Sequence, residues 1–88
     1  MPYVVYILYS VKDRKLYVGQ TADLHKRLRL HFSGKVRATQ HRRPLKLLRQ
    51  EQYETRGEAM KREKFLKSLW SARFKKKLLE KTTQKDTG

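Results

Sequence analysis

The stretch LYVGQTADLHKRLRLHF, residues 16–32, runs from a short extended segment through one glycine into an amphipathic helix. Leu24, Leu28 and Phe32 are four apart and form one apolar stripe, with Arg27 and His31 at the same spacing on a neighbouring face. Thr21 is the expected N-cap, and Asp23 falls in the first turn, where negative charge suits the exposed backbone N–H groups. Gly19 stands at the strand-to-helix junction, where it permits close backbone approach. The helix is expected over 22–33, with Gly34 as its stop.

Upstream, the run YVVYILY at 3–9 is continuously apolar, β-branched and aromatic, as a buried central strand should be. The polar segment 10–15 separates it from LYVG at 16–19. Two extended segments with a short polar connection predict a β-hairpin, with Tyr6 and Tyr17 on adjacent strands. Downstream, 35–44 is an aperiodic basic loop closed by Pro44, and 45–53 (LKLLRQEQY) reads as a third strand at a sheet edge. Thr55 and Glu58 form a capping box that opens a helix over 55–70, and Ser71 can cap a further helix over 72–80. The expected class is α+β: a three-stranded antiparallel sheet with three helices in the order β-β-α-β-α-α, packed mainly on one side of the sheet.

Eighty-eight residues hold one domain, expected over 1–80, followed by a disordered polar and basic tail at 81–88 with no apolar anchor. Lys and Arg number 23 against 8 acidic residues, a net charge of +15, so an anionic partner is expected to relieve the self-repulsion. Nucleic acid fits better than a membrane, because there is no long apolar run and no amphipathic helix without a core duty. The VVYIL run begins near the first Met without a preceding basic segment, so no signal peptide is expected. The absence of cysteine excludes disulfides and fits a reducing compartment, so the cytoplasm is the expected location.

The charge is clustered. Residues 24–50 hold nine Lys or Arg and no Asp or Glu. Lys26, Lys35, Arg37, Arg42, Arg43, Lys46 and Lys67 are the candidate nucleic-acid contacts, and the arginines of the basic loop have the planar fork that suits phosphate oxygens. No recognition-helix, zinc-finger or RNA-binding aromatic motif is present, so contacts are expected mainly to the DNA backbone. One carboxylate is out of place: Glu63 falls on the face shared by Ala59, Leu66 and Trp70. A carboxylate there needs a partner or a cation. Pairing with Lys67 is one solution. Ligation of one magnesium-type ion, completed by water and phosphate, is the other.

These residues resemble the GIY-YIG nuclease family, and in particular the small N-terminal nuclease module found in the excinuclease ABC system. Val5-Tyr6-Ile7 and Tyr17-Val18-Gly19 stand for the two signature tripeptides. Residues 19–34 fit the run GxTxDLxxRLxxHxxG, and residues 58–67 fit EAxxRExxLK. The chain departs from the pattern in Val5 for glycine and Val18 for isoleucine, and it contains no Asn, which family members often carry near the end. The resemblance implies a divalent-metal-dependent DNA endonuclease, with a non-catalytic nucleic-acid-binding module as the alternative. It also implies catalytic roles for Tyr6, Tyr17, Arg27, His31 and Glu63. One tyrosine would orient or deprotonate water, aided by cations that lower its pKa. Arg27 would hold the phosphate, His31 would assist near the water or leaving group, and Gly19 would serve the motif structurally. Glu63 would hold one Mg2+ or Mn2+, weakly in the absence of DNA. A partner protein would add target choice.

Overall fold

The computed structural model describes residues 2–68. Strand β1 (Tyr3–Ser10) is central, with β2 (Leu16–Thr21) and β3 (Leu45–Tyr53) antiparallel on either side. Helix α1 (Leu24–Phe32) joins β2 to the loop before β3, and α2 (Arg56–Lys67) follows β3. Among the described residues there are thus two helices. This corrects the three of the β-β-α-β-α-α expectation. The segment expected at 72–80, its Ser71 cap, Trp70 and the tail at 81–88 lie outside the described residues.

The pleat assigns β1 to two faces. Val5 and Ile7 point one way and pair with Gln20 and Val18 on β2 and with Glu51 and Arg49 on β3. Ala59 and Leu66 of α2 close that side over Val5, Ile7 and Val18. Tyr6 and Leu8 point the other way, beside Gly19 and Tyr17, and are fully buried, Tyr6 against His31 of α1. The sheet is therefore covered on both faces, in place of the one-sided packing expected. The basic loop makes the second cover possible. Val36 and Thr39 turn inward, and Ser10 Oγ donates to the Arg42 carbonyl at 2.6 Å, so ten residues without regular structure act as a lid. A bulge at Leu48 in β3 puts Arg49 opposite Ile7 but Leu47 opposite Leu8, which changes the face of the strand at mid-length.

Helix ends follow local chemistry. Asp23, rather than Thr21, caps α1: its carboxylate accepts from the Lys26 N–H at 3.1 Å, while Thr21 Oγ1 accepts from the Asp23 N–H. At the far end Gly34, with φ +80°, follows Ser33, and the Lys35 N–H reaches back to the Leu30 carbonyl at 2.9 Å. That left-handed reversal is why glycine stops the helix there. Thr55 caps α2 by accepting from the Glu58 N–H.

Candidate active site

The apolar stripe of α1 is only partly covered, with Leu24 and Leu28 half-buried. Phe32 is 45% exposed, whereas His31 is wholly buried, the one α1 residue that is. An imidazole can occupy that position only if both nitrogens find partners. His31 Nε2 lies 2.8 Å from the Tyr6 hydroxyl, and Nδ1 lies 2.7 Å from Thr39 Oγ1. Arg27 Nε donates to the same Tyr6 oxygen at 3.4 Å. Arginine offers only donors, so we assign His31 Nε2 as the acceptor of the buried Tyr6 O–H. The proton of the neutral ring then sits on Nδ1 and is donated to Thr39. Along this hydrogen-bonded relay the buried side chains Tyr6, His31 and Thr39 are all satisfied.

Tyr17 completes the cluster. It stands opposite Leu8, two register positions along from the Gly19 that faces Tyr6. Its ring centroid is 5.2 Å from His31 and 6.4 Å from Tyr6. Gly19 is required by the Tyr6 ring: a Cβ there would lie 2.5 Å from the hydroxyl oxygen. Tyr6, Tyr17, Arg27 and His31 are therefore assembled from β1, β2 and α1. Tyr6, His31 and Thr39 have no exposed surface, while Tyr17 and Arg27 remain half-buried and reachable.

The electrostatics keep the buried groups neutral. Burial, helped by the Arg27 charge, pushes His31 down to about 4. Burial also raises Tyr6 above its ordinary value; the Arg27 hydrogen bond works against this without reversing it, and the Tyr17 and Glu63 charges add to it. The expectation that neighbouring cations lower a tyrosine pKa is thus corrected for Tyr6. There the loss of solvent outweighs the single guanidinium in reach.

Glu63 lies on α2, beside the buried Ala59–Leu66 stripe. Its half-buried carboxylate pairs with Lys67 at 3.5 Å, and its charge acts on Tyr6 across the cluster. Arg62 lies on the opposite flank of that stripe at helical spacing. Its guanidinium grips Glu51 of β3 through Nε at 2.8 Å and Nη2 at 3.1 Å. Glu51 also accepts from Arg49 at 2.7 Å and from the Tyr53 hydroxyl at 2.8 Å. Burial works to raise the Glu51 pKa, yet these three donors outweigh it and hold the carboxyl at about 2. This clamp fixes the rotation of α2 and hence the side on which Glu63 emerges.

Of the candidate phosphate contacts, Lys26, Lys35, Arg37, Arg43 and Lys46 are exposed. Arg42 is bound to Asp13 of the hairpin turn at 2.7 Å and braces the loop, and Lys67 is bound to Glu63. Thr39 and Glu51 were not singled out from the sequence. Thr39 had one signal, since Val36 and Thr39 are the β-branched residues of an otherwise basic loop. For a metal, the described residues contain no group of three His, Cys, Asp or Glu side chains. Among the described residues, Glu63 is the carboxylate whose charge acts on Tyr6. That donor set suits a hard, weakly held ion whose other positions are filled by water and phosphate. Nor do the described residues form a helix long and apolar enough to cross a membrane.

The protein-family model for the GIY-YIG catalytic domain matches residues 2–78. The UPF0213 protein YazA of Bacillus subtilis is 38% identical over 76 residues, covering 85% of this chain and 77% of its own. The UPF0213 protein SSP2268 of Staphylococcus saprophyticus is 40% identical over 76 residues, covering 85% and 90%. The solution NMR structure of the UPF0213 protein BH0048 from Bacillus halodurans is similar with a TM-score of 0.56 at 37% identity, over 91% of this chain and 84% of that one. These relatives are UPF0213 proteins, so the likeness is not specifically to the excinuclease module.

Proposed function

Because the chain belongs to the GIY-YIG domain family, within its UPF0213 branch, we propose that it binds nucleic acid through backbone phosphates and receives one phosphate at Tyr17 and Arg27. The observation that carries this reading is the division of the cluster into two layers. Tyr17, Arg27 and Glu63 keep solvent-facing surface, while Tyr6, His31 and Thr39 beneath them have none. Arg27 supplies the charge for a phosphate oxygen, held in aim by Tyr6, and hydrogen bonding to that hydroxyl secures its protonated form. Lys26, Lys35, Arg37 and Lys46 extend the electrostatic footprint. If each neutralises one phosphate, affinity should fall roughly a hundredfold between ~50 and ~200 mM salt.

A second reading, hydrolysis of the bound phosphodiester, is favoured by one specific observation. The charge of the Glu63 carboxylate acts on Tyr6, the same residue that takes the Arg27 hydrogen bond, and phosphate binding alone does not need a carboxylate there, since it repels the ligand. Glu63 would hold one Mg2+ or Mn2+, which when bound would polarise the phosphoryl oxygen and neutralise developing charge. Lys67 would release Glu63 for that purpose. Tyr17 would orient the attacking water, and Arg27 would stabilise charge on the phosphoryl oxygens. Tyr6 and His31, being buried, act here as positioning residues for Arg27.

Gel shifts in calcium beside cleavage assays in magnesium and manganese, on duplex, flap and single-stranded substrates, test both readings. Glu63→Gln should abolish cutting and leave affinity equal or slightly raised, because a repulsive charge is removed. Arg27→Ala should lower both. Cutting by Glu63→Gln at the wild-type rate would remove the metal role. A wild type that binds but never cuts would leave the binding reading alone.

A further inference from the structure

We propose that the cleft lined by Lys12, Phe32, His41 and Arg43 takes one unpaired nucleotide, with its base on the Phe32 ring and its phosphate between Lys12 and Arg43. The inference rests on the nucleic-acid reading above and adds a second contact point and a strand preference. The cleft, of about 570 Å³, is completed by Gln40, Pro44 and Leu45, with no carboxylate among the described residues that line it. Its size is that of a small-ligand site.

Three observations converge there. Phe32 is 45% exposed although it ends the apolar stripe of α1, so the fold leaves a large flat ring in water beside cations. Rings placed this way in basic grooves serve as stacking platforms for bases. Arg43 is held in place: its guanidinium lies against Gly34, where a Cβ would come within 2.6 Å of Cζ, and Nε donates to the Gln40 carbonyl at 3.3 Å. That arrangement pre-orders the guanidinium at the cleft, with less ordering needed on binding. Finally, Asp13, the nearest acid in sequence to Lys12, is already occupied by Arg42.

An unpaired base fits this place and a paired one does not. Inside a duplex both faces of each base are covered by neighbours, so the Phe32 ring can be stacked only by a base outside the helix. The cleft also adjoins the tyrosine cluster through the chain itself. Phe32 follows His31, and Gln40 follows Thr39, the two residues joined by the 2.7 Å bond. One strand could therefore occupy both places at once.

The test is fluorescence anisotropy in calcium with labelled oligothymidine, oligouridine and a blunt hairpin duplex closed by a non-nucleotide linker, on the full chain. Phe32→Ala should weaken oligothymidine binding about tenfold, the loss of one stacked base, and leave hairpin binding within about twofold. Phe32→Tyr should restore it. Arg43→Gln should weaken binding and reduce the salt slope by about one. The oligouridine arm, which changes the sugar and removes the base methyl together, should show the same loss in Phe32→Ala. Equal single-strand affinity of wild type and Phe32→Ala, with the hairpin still bound, would overturn this inference and leave the phosphate-binding reading standing. Absence of binding to all three probes by the wild type would overturn both.

Discussion

On the tyrosine face of the sheet the buried polar groups are neutral. Tyr6 is raised, His31 is lowered to about 4, and Arg27 touches them from the rim. On the α2 face the half-buried Glu51 stays ionised, held at about 2. Desolvation acts against charge on both faces, so the number of partners decides the outcome. Glu51 has two guanidinium groups and a phenol in contact, whereas Tyr6 has one guanidinium at 3.4 Å and feels two unfavourable neighbours. The two faces also have different tasks. The neutral chain holds groups in aim without competing for a phosphate, and the ionised clamp fixes the helix that carries Glu63.

The largest expected effect separates the faces by pH. His31 titrates at 6.5 when unfolded and at about 4 when folded. Between those values the unfolded chain binds more protons, so stability is complete above about 6.5 and falls as pH drops toward 4, by roughly 3 kcal/mol in total. Glu51 falls from 4.5 to about 2, and Asp13, under the hydrogen bond from Arg42, from 3.8 to about 2. Their contribution is present above about 4.5 and is lost as pH falls toward 2. Urea unfolding across both windows should therefore show the tyrosine face failing first. His31→Gln should flatten the upper window only. Glu51→Gln should lessen the lower slope without removing the Asp13 share. Parallel loss in wild type and His31→Gln between 6.5 and 4 would break the distinction.

Next in size is the clamp. Arg62→Ala leaves the Glu51 carboxylate with Arg49 and Tyr53 alone, at a cost of about 2 kcal/mol. A double-mutant cycle with Glu51→Gln should return coupling above about 1 kcal/mol. Coupling near zero would mean that α2 is held by Ala59 and Leu66 alone, and that the ion pair is an ornament of the surface.

The strands were legible because their signals are local. The apolar run of β1, the Tyr6–Tyr17 adjacency and the bounds of β3 need only neighbouring residues. The Thr55 cap is equally local. Helix α1 shows where that legibility ends. Periodicity ranks Phe32 above His31 for the core, because it weighs hydrophobicity and cannot weigh hydrogen-bond partners 25 and 8 residues away. Glu51 was hidden for the same reason: its decisive partner, Arg62, is 11 residues on and across a turn. Arg42 reads as a ligand contact in the sequence, whereas in the fold Asp13, 29 residues away, occupies it. Coverage of the second face was hidden because Val36 and Thr39 are dilute among cations, and only the lid they form explains how Tyr6 is buried.

The smallest effect examines the neutral chain at its far end. Thr39→Val keeps the shape of the side chain but removes the acceptor for His31 Nδ1–H, which leaves a buried donor unsatisfied. The expected cost is about 1 kcal/mol, the low end for such a group, because the loop that carries Thr39 can yield toward solvent. Stability alone cannot identify the cause, since Thr39→Ser loses a buried methyl and costs a similar amount. The proton can. With Arg27 donating to Tyr6 and Tyr6 to Nε2, the ring proton belongs on Nδ1, and nitrogen-edited NMR of the imidazole should find it there, slow to exchange. Thr39→Ser should keep that signal and Thr39→Val should lose it. A proton found on Nε2 in the wild type would reverse the direction of the whole chain. Tyr6 would then accept from both His31 and Arg27, its own hydroxyl hydrogen would point toward Tyr17, and the aim of Arg27 would no longer depend on His31.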